Sequence, residues 1–264
     1  MARLGLLDGM LHGQALRRWG RAARRAPAAS LGELGRDRAR ARALRHHLDA
    51  LLAVAEGRLA VPGDPGRVRE LPGTDWAWRP RLWREALPGG GVAGSAAGGV
   101  IGAASGTALG EEVRLFHDCP LSEVSLRQAR GRAGDPAPFA LCLDVFGFGG
   151  SYLGLALGLP PEASAGLRRR HLVRLDLHAE LEAPARAFAR LNVSHGPNAE
   201  ALLRELPLRP GAPETVAVEF DLAATGLNER RVERMWLDLL VERPAMNRLA
   251  VRDLTLLRLP RAEL

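Results

Sequence analysis

In the second half of the chain, apolar and polar residues change places at almost every step. Val216, Val218, Phe220 and Leu222 alternate with Ala217, Glu219 and Asp221, the period of a half-buried strand. Further on, Met235, Leu237, Leu239 and Val241 share one face, and Trp236, Asp238 and Glu242 take the other. Between these two segments NERRVER carries a short helix signal. In the last run, LAVRDLTLLR, the apolar phase slips between Val251 and Leu254. One extra residue at Arg252–Asp253, a β-bulge, would restore it. Shorter strand-type segments recur upstream, at 113–116, 123–128, 139–146, 152–159, 171–181 and 186–193. Turn signals separate them, among them Gly134-Asp135-Pro136, Pro160-Pro161 and Gly196-Pro197-Asn198. No long helical pattern alternates with these strands, which argues against parallel βαβ units. The pattern predicts a mainly β domain over residues 111–264, an antiparallel β-sandwich of jelly-roll-like type.

Residues 1–60 follow the other period. Leu4, Leu7, Leu11 and Ala15 are spaced by three and four, and a cluster of arginines with Trp19 follows. Pro27 breaks the pattern. Ser30 is then an N-cap with Glu33 at capping-box spacing. A second helix is expected to about Glu56, with Leu44, Leu48, Leu51 and Leu52 as its apolar stripe and Gly57 as its stop. Residues 61–110 are a Pro/Gly-rich connection. They hold a tryptophan cluster, TDWAWRPRLW, and an uncharged run at Gly89–Gly110. That run is too poor in large apolar side chains for a spanning helix and reads as a flexible Gly/Ala insertion.

Charge refines this division. The chain has no lysine, and its 37 basic residues are all arginine. Residues 1–60 carry twelve arginines against five acids, and residues 61–264 carry 25 of each. The basicity belongs to the arm, so the balanced body is not expected to bind nucleic acid. The arm has two readings: it packs one face on the domain and solvates the other, which is the commoner use of a charged face, or it lies on an anionic membrane surface. No secretory signal is found, because Asp8 and His12 interrupt the apolar start. The expected location is therefore cytoplasmic or peripheral at the inner membrane. Cys119 and Cys142, the two cysteines, are too few for a disulfide framework and read as buried free thiols.

No phosphate-binding loop, metal-protease helix, nucleophile elbow or dinucleotide fingerprint occurs, and neither a cofactor nor a metal is expected. Candidate ligand-binding residues are the aromatics Trp76, Trp78 and Trp236, which could stack on sugar rings. The polar loop Asn192–Asn198 adds Asn192, His195 and Asn198, which could read hydroxyls or simply stabilise a turn over Gly196-Pro197. Trp76 and Trp78 equally fit a plug at one end of a sandwich. Arg174, Asp176, His178 and Glu180 form an outward row, either a binding surface or a solvated face with cross-strand pairs. Leu153, Leu155, Leu157 and Leu159 alternate with Gly154, Ala156 and Gly158, leaving a bare face that something can approach closely. Outward acids among Glu219, Asp221 and Asp238 would suit glycoside hydrolysis only if two of them flank one bond.

From Trp76 on, the segments TDWAWRPRLW, LFHDCPLSEVSLRQ, LDVFGFGGSYL, FARLNVSHGPNAEALLRELPL and the closing VEFDL…RLPRAEL resemble an alphaproteobacterial family carried as a domain of unknown function. The family brings no assigned activity, cofactor or site residue with it. The order VAVEFDL, MWLDLLVE, LAVRDLTLLR, with Asp253 before the last apolar pair, is similar to the end of carbohydrate-binding jelly-roll modules. A non-catalytic β-sandwich with a glycan or cell-envelope ligand is the function expected. A hydrolase and a membrane-surface adaptor are the alternatives.

Overall fold

A computed structural model describes residues 2–60, 68–87, 99–121 and 123–261. The chain divides into two compact units, Met1–Leu51 and Leu52–Leu264. The first is helical. Helix α1 spans Ala2–Arg25 and closes on Arg24 and Arg25, cations placed to meet the negative end of the helix dipole. Pro27 sits in a single 3-10 turn, Ala26–Ala28, since a proline cannot donate to a continuing helix. Helix α2 spans Leu31–Ala60. Its start is the capping box expected from Ser30 and Glu33. The Glu33 backbone amide donates to Ser30 Oγ at 3.4 Å, and the Glu33 carboxylate accepts from the Ser30 amide at 3.1 Å. The helix runs through Gly57 to Ala60, because glycine permits a stop without imposing one. Leu44, Leu48, Leu51 and Leu52 are exposed.

The second unit is built from two antiparallel sheets, as the alternation predicts. The strands are β1 (Trp76–Trp78), β2 (Gly99–Ile101), β3 (Ala108–Leu109), β4 (Val113–His117), β5 (Val124–Arg130), β6 (Phe139–Val145) and β7 (Tyr152–Gly158). They continue with β8 (His171–Leu181), β9 (Ala187–His195), β10 (Asn198–Leu206), β11 (Glu214–Asp221), β12 (Val232–Glu242) and β13 (Asn247–Pro260). One sheet has the order β11-β8-β13-β6-β5-β2, with β1 also on β13; the other has the order β10-β9-β12-β7-β4-β3. Leucines and valines from both inner faces form one core, including Leu155, Leu157, Leu175, Leu177, Leu191 and Leu237. Each such side chain contributes about 1.5–3 kcal/mol by leaving water.

Strand β13 is the spine of the first sheet. It pairs β6 through Asn247–Val251, β8 through Leu249–Pro260 and β1 through Leu256–Arg258. Its register shifts between Val251 and Asp253, so the predicted bulge is present. The bulge places two charges side by side, with Asp253 opposite outward His178, and both are buried and paired. Arg79 donates to the Asp253 carboxylate through two nitrogens, each at 2.8 Å. Arg252 lies between Glu180 and Asp135.

The stretch 61–110 contributes more than a connection. β1 extends the edge of β13 that β6 leaves free. A short helix, α3 (Arg81–Arg84), then buries Leu82 and Trp83, and the Trp83 indole donates to the Val251 carbonyl at 2.9 Å. β2 and β3 add edge strands to the two sheets. Much of the Gly/Ala run lies outside the described residues. NERRVER forms no helix: a 3-10 turn at Leu222–Ala224 precedes it, and β12 begins inside it at Val232.

Candidate functional site

The outer face of the six-stranded sheet gathers the most distinctive chemistry. Alternation sends Met235, Leu237, Leu239 and Val241 inward, so Trp236 and Asp238 must point out. On β9 the same rule sends Arg190 and Asn192 out, and on β7 it sends out Gly154, Ala156 and Gly158. Register then makes neighbours. Trp236 lies between Asn192 and Gly158, Asp238 between Arg190 and Ala156, and Leu240 between Phe188 and Gly154.

Side-chain bonds lock this grid. Arg190 donates to Asp238 Oδ2 through Nε at 3.0 Å and Nη2 at 2.8 Å. Asn192 Nδ2 donates to the same oxygen at 2.9 Å. Asn192 and Asp238 are buried although they belong to an outer face, and a buried polar group must be satisfied in this way. Three donors converge on Oδ2. Among the described residues, none fills Asp238 Oδ1 or Asn192 Oδ1. Two fixed acceptors and a half-exposed guanidinium thus stand beside a half-exposed indole.

The glycines of β7 have different fates. A Cβ at Gly154 would lie 2.9 Å from Leu240 Cδ2, so the Leu240 side chain is what approaches that bare backbone. A Cβ at Gly158 would meet only the Glu112 carbonyl, at 3.9 Å. The space beside Trp236 is therefore open on the β7 side. The guanidinium of exposed Arg234 sits 5.2 Å from the Trp236 ring centroid.

The other sequence candidates lie elsewhere. The stretch Asn192–Asn198 is not a polar loop but the ends of β9 and β10, joined through Gly196 and Pro197, with Gly196 at φ 58°. Strand alternation therefore splits the trio. Asn192 faces out. His195 is buried on the inner side, with Nε2 3.5 Å from Glu200 and Nδ1 accepting from the Asn228 amide at 3.4 Å. Asn198 is its exposed register partner at the turn. Trp76 and Trp78 stack with centroids 6.3 Å apart and pack against the core as half-buried side chains. They pair with Arg258 and Leu256, both buried.

The row on β8 is consumed by pairs within and across strands on the outer face of the other sheet. Arg174 bonds Asp176 at 2.9 Å and Glu219 at 3.3 Å. His178 meets Thr215 Oγ1 at 2.9 Å, and Glu180 holds Arg252. Nearby, burial pushes the Asp253 carboxyl above its ordinary value, with Arg79 acting against the rise. The outward acids are separated by the whole sandwich. Glu219 and Asp221 belong to β11 in one sheet and Asp238 to β12 in the other, so Asp238 cannot flank a bond with either. Asp221 accepts from the Ala223 amide at 2.9 Å and lies 3.4 Å from Arg261.

Both cysteines are free. Cys119 is buried, and Cys142 is half-buried with its thiol pushed up by burial. No group of three or more potential metal ligands occurs among the described residues. Arg190, absent from the sequence candidates, is essential to the grid. Its only signal was outward phase beside Asn192, and its partner became visible only through the β9–β12 register.

Two layers of antiparallel strands with a basic helical arm define a jelly-roll-like β-sandwich module. The chain belongs to the family described as Family of unknown function (DUF6478), whose model matches residues 1–264. No curated protein matches the sequence. Among solved structures, the chain is similar to the enzymatically active domain of the bacteriophage CBA120 tailspike protein 4, at 10% identity and a TM-score of 0.41. That match covers 55% of this chain and 19% of the tailspike chain. It is also similar to the family 11 carbohydrate-binding module from Clostridium thermocellum in complex with a β-1,3-1,4-mixed-linked tetrasaccharide. There the identity is 11%, the TM-score 0.37, and the coverage 58% of this chain and 91% of that one. A third likeness is to the Stig cyclase Fisc from Fischerella sp. TAU, at 12% identity and a TM-score of 0.36. It covers 56% of this chain and 86% of that one.

Proposed function

We propose that the sandwich is a non-catalytic binding module for a glycan, free or carried by a cell envelope, taken up on the outer face of β7, β12 and β9. The observation that carries this reading is the grid of Trp236, Asn192, Asp238 and Arg190. A sugar presents an apolar C–H face and a rim of hydroxyls. Trp236 suits the first. The open acceptors of Asn192 and Asp238, with the Arg190 donors, suit the second. Arg234 over the ring is the competitor. An exposed cation–π contact is worth about 0.5–1 kcal/mol, so a ligand that buries the indole displaces it at small cost.

The reading is tested by glycan-array screening of the full chain, followed by calorimetry on any hit. Trp236→Ala and Asn192→Ala are each expected to weaken binding about tenfold or more, equivalent to about 1.4 kcal/mol, with melting temperature nearly unchanged for the first. Trp76→Ala should leave affinity alone and lower stability. Affinity that survives Trp236→Ala but is lost in Trp76→Ala would move the site to the tryptophan pair. Hydrolysis of a bound glycan that Asp238→Asn abolishes would replace the binding reading with an enzymatic one.

A further inference from the structure

The arm presents a second surface. Over residues 11–25 of α1, helical spacing divides the side chains into two sets. Leu11, Ala15, Trp19 and Ala22 follow one another at intervals of four, four and three, with Leu16 and Ala23 beside them. Arg17, Arg21 and Arg24 follow at intervals of four and three on the other side. This is an amphipathic helix with arginine on its polar face. Leu11 and Leu16 are exposed, at 64% and 62% of their full area. Across the Ser30 turn, α2 begins with alternating arginines. The cleft between the two helices, about 1060 Å³, is lined by seven arginines against Glu33 and Asp37. Further along α2, Leu44, Leu48 and Leu51 stay uncovered. No helix among the described residues is long and apolar enough to cross a membrane.

We propose that the α1–α2 arm is a docking surface for an anionic lipid bilayer, lying in the plane of the headgroups. Two observations select this occupant over a nucleic acid. Charge complementarity requires an anionic partner, since the excess of arginine over acid is confined to the arm. Exposed leucines alongside that charge require a partner with an apolar layer beneath its anions. A phosphodiester backbone uses only the first; an amphipathic helix on a charged bilayer uses both. Arginine also keeps its charge at any working pH and forks onto phosphate oxygens. The short apolar face, with few large side chains, makes the attachment reversible and salt-sensitive.

Flotation of the full chain tests this with vesicles of phosphatidylcholine alone and with phosphatidylglycerol added. Binding is expected only to the anionic vesicles and is expected to fall as salt rises. Arg17→Gln with Arg21→Gln and Arg24→Gln should reduce partitioning by about fivefold per arginine removed, from about 1 kcal/mol for each cation near the surface. Leu11→Ala with Leu16→Ala keeps every charge and should still reduce it about tenfold. Circular dichroism on each variant shows whether the helix remains. Equal binding to neutral vesicles, or none to anionic ones, overturns the proposal. So does retention of duplex DNA by the full chain that the leucine variant leaves unchanged while vesicles are ignored. Glycan affinity should be indifferent to all of these arm variants, so failure here leaves the sandwich site untouched.

Discussion

Asp253 shows how a charged residue comes to be buried in a strand rich in leucines. The register sets it opposite His178 on the outer face of its sheet, and Arg79 covers it there with two parallel hydrogen bonds. Removing the cation strands the anion. Arg79→Ala is expected to cost about 3–5 kcal/mol in urea unfolding. The sign of its pH dependence follows from burial, which already holds the folded carboxyl above its unfolded value. The penalty is full where the unfolded group is ionised and fades as pH falls and Asp253 is protonated in both states. The loss in Arg79→Ala should therefore shrink toward acid pH. Asp118 behaves in the opposite sense. Its carboxylate accepts from the Ser151 hydroxyl and from the amides of Ser151 and Tyr152, which bring its pKa down to about 2. The anchoring of the β6–β7 turn is present above about pH 4 and is lost as pH falls through about 2. Proton NMR should show the Ser151 and Tyr152 amides shifting together in that range in the wild type and not in Asp118→Asn. Amides that titrate alike in both would refute the anchor.

At the scale of single elements, the start of α2 makes a compact test. Ser30→Ala removes the acceptor for the Glu33 amide and the donor to its carboxylate. The expected cost is about 1 kcal/mol, read as reduced helix content by circular dichroism in the full chain. This cap was legible in advance because it is local: four residues contain all of it. The same holds for β8, whose alternation runs for eleven residues, for the inward set Met235, Leu237, Leu239 and Val241 of β12, and for the bulge, where a slipped phase has one repair. β1 was not legible, since Trp76–Trp78 is three residues long and is a strand only because β13 offers it an edge. β10 was missed because NAEALLREL spaces Leu202, Leu203 and Leu206 as a helix would. Its place at the sheet edge, paired with β9 residue for residue, overrides that propensity. The grid around Asp238 was half legible. Phase told which side chains face out, but which of them meet depends on register across β7, β12 and β9, and register is a property of pairs.

Across the whole molecule, the two proposed roles fall on different parts of the chain, although α2 runs across the unit boundary at Leu51. The sandwich offers a rigid, pre-bonded face; the arm offers charge and exposed leucines. Each has its own assay, so a deletion that abolishes vesicle flotation yet keeps glycan affinity would be the expected signature of this division. The sandwich is also a fold of distant partners. Its chain crosses from one layer to the other at most connections after β4, and Arg79 waits for a carboxylate 174 residues away. Such topologies form slowly, on a scale of about milliseconds to seconds.

The position of β13 carries a further consequence. It follows every other strand in chain order, yet β8, β6 and β1 all hydrogen-bond to it. A nascent chain leaving the ribosome can assemble hairpins such as β9–β10, but the spine of one layer arrives only when residues near 260 have emerged. Until then β6 and β8 present open edges to whatever is nearby. Translation arrested before Asn247 should leave a protease-sensitive, chaperone-bound product, and release past Arg258 should convert it to a resistant one within seconds.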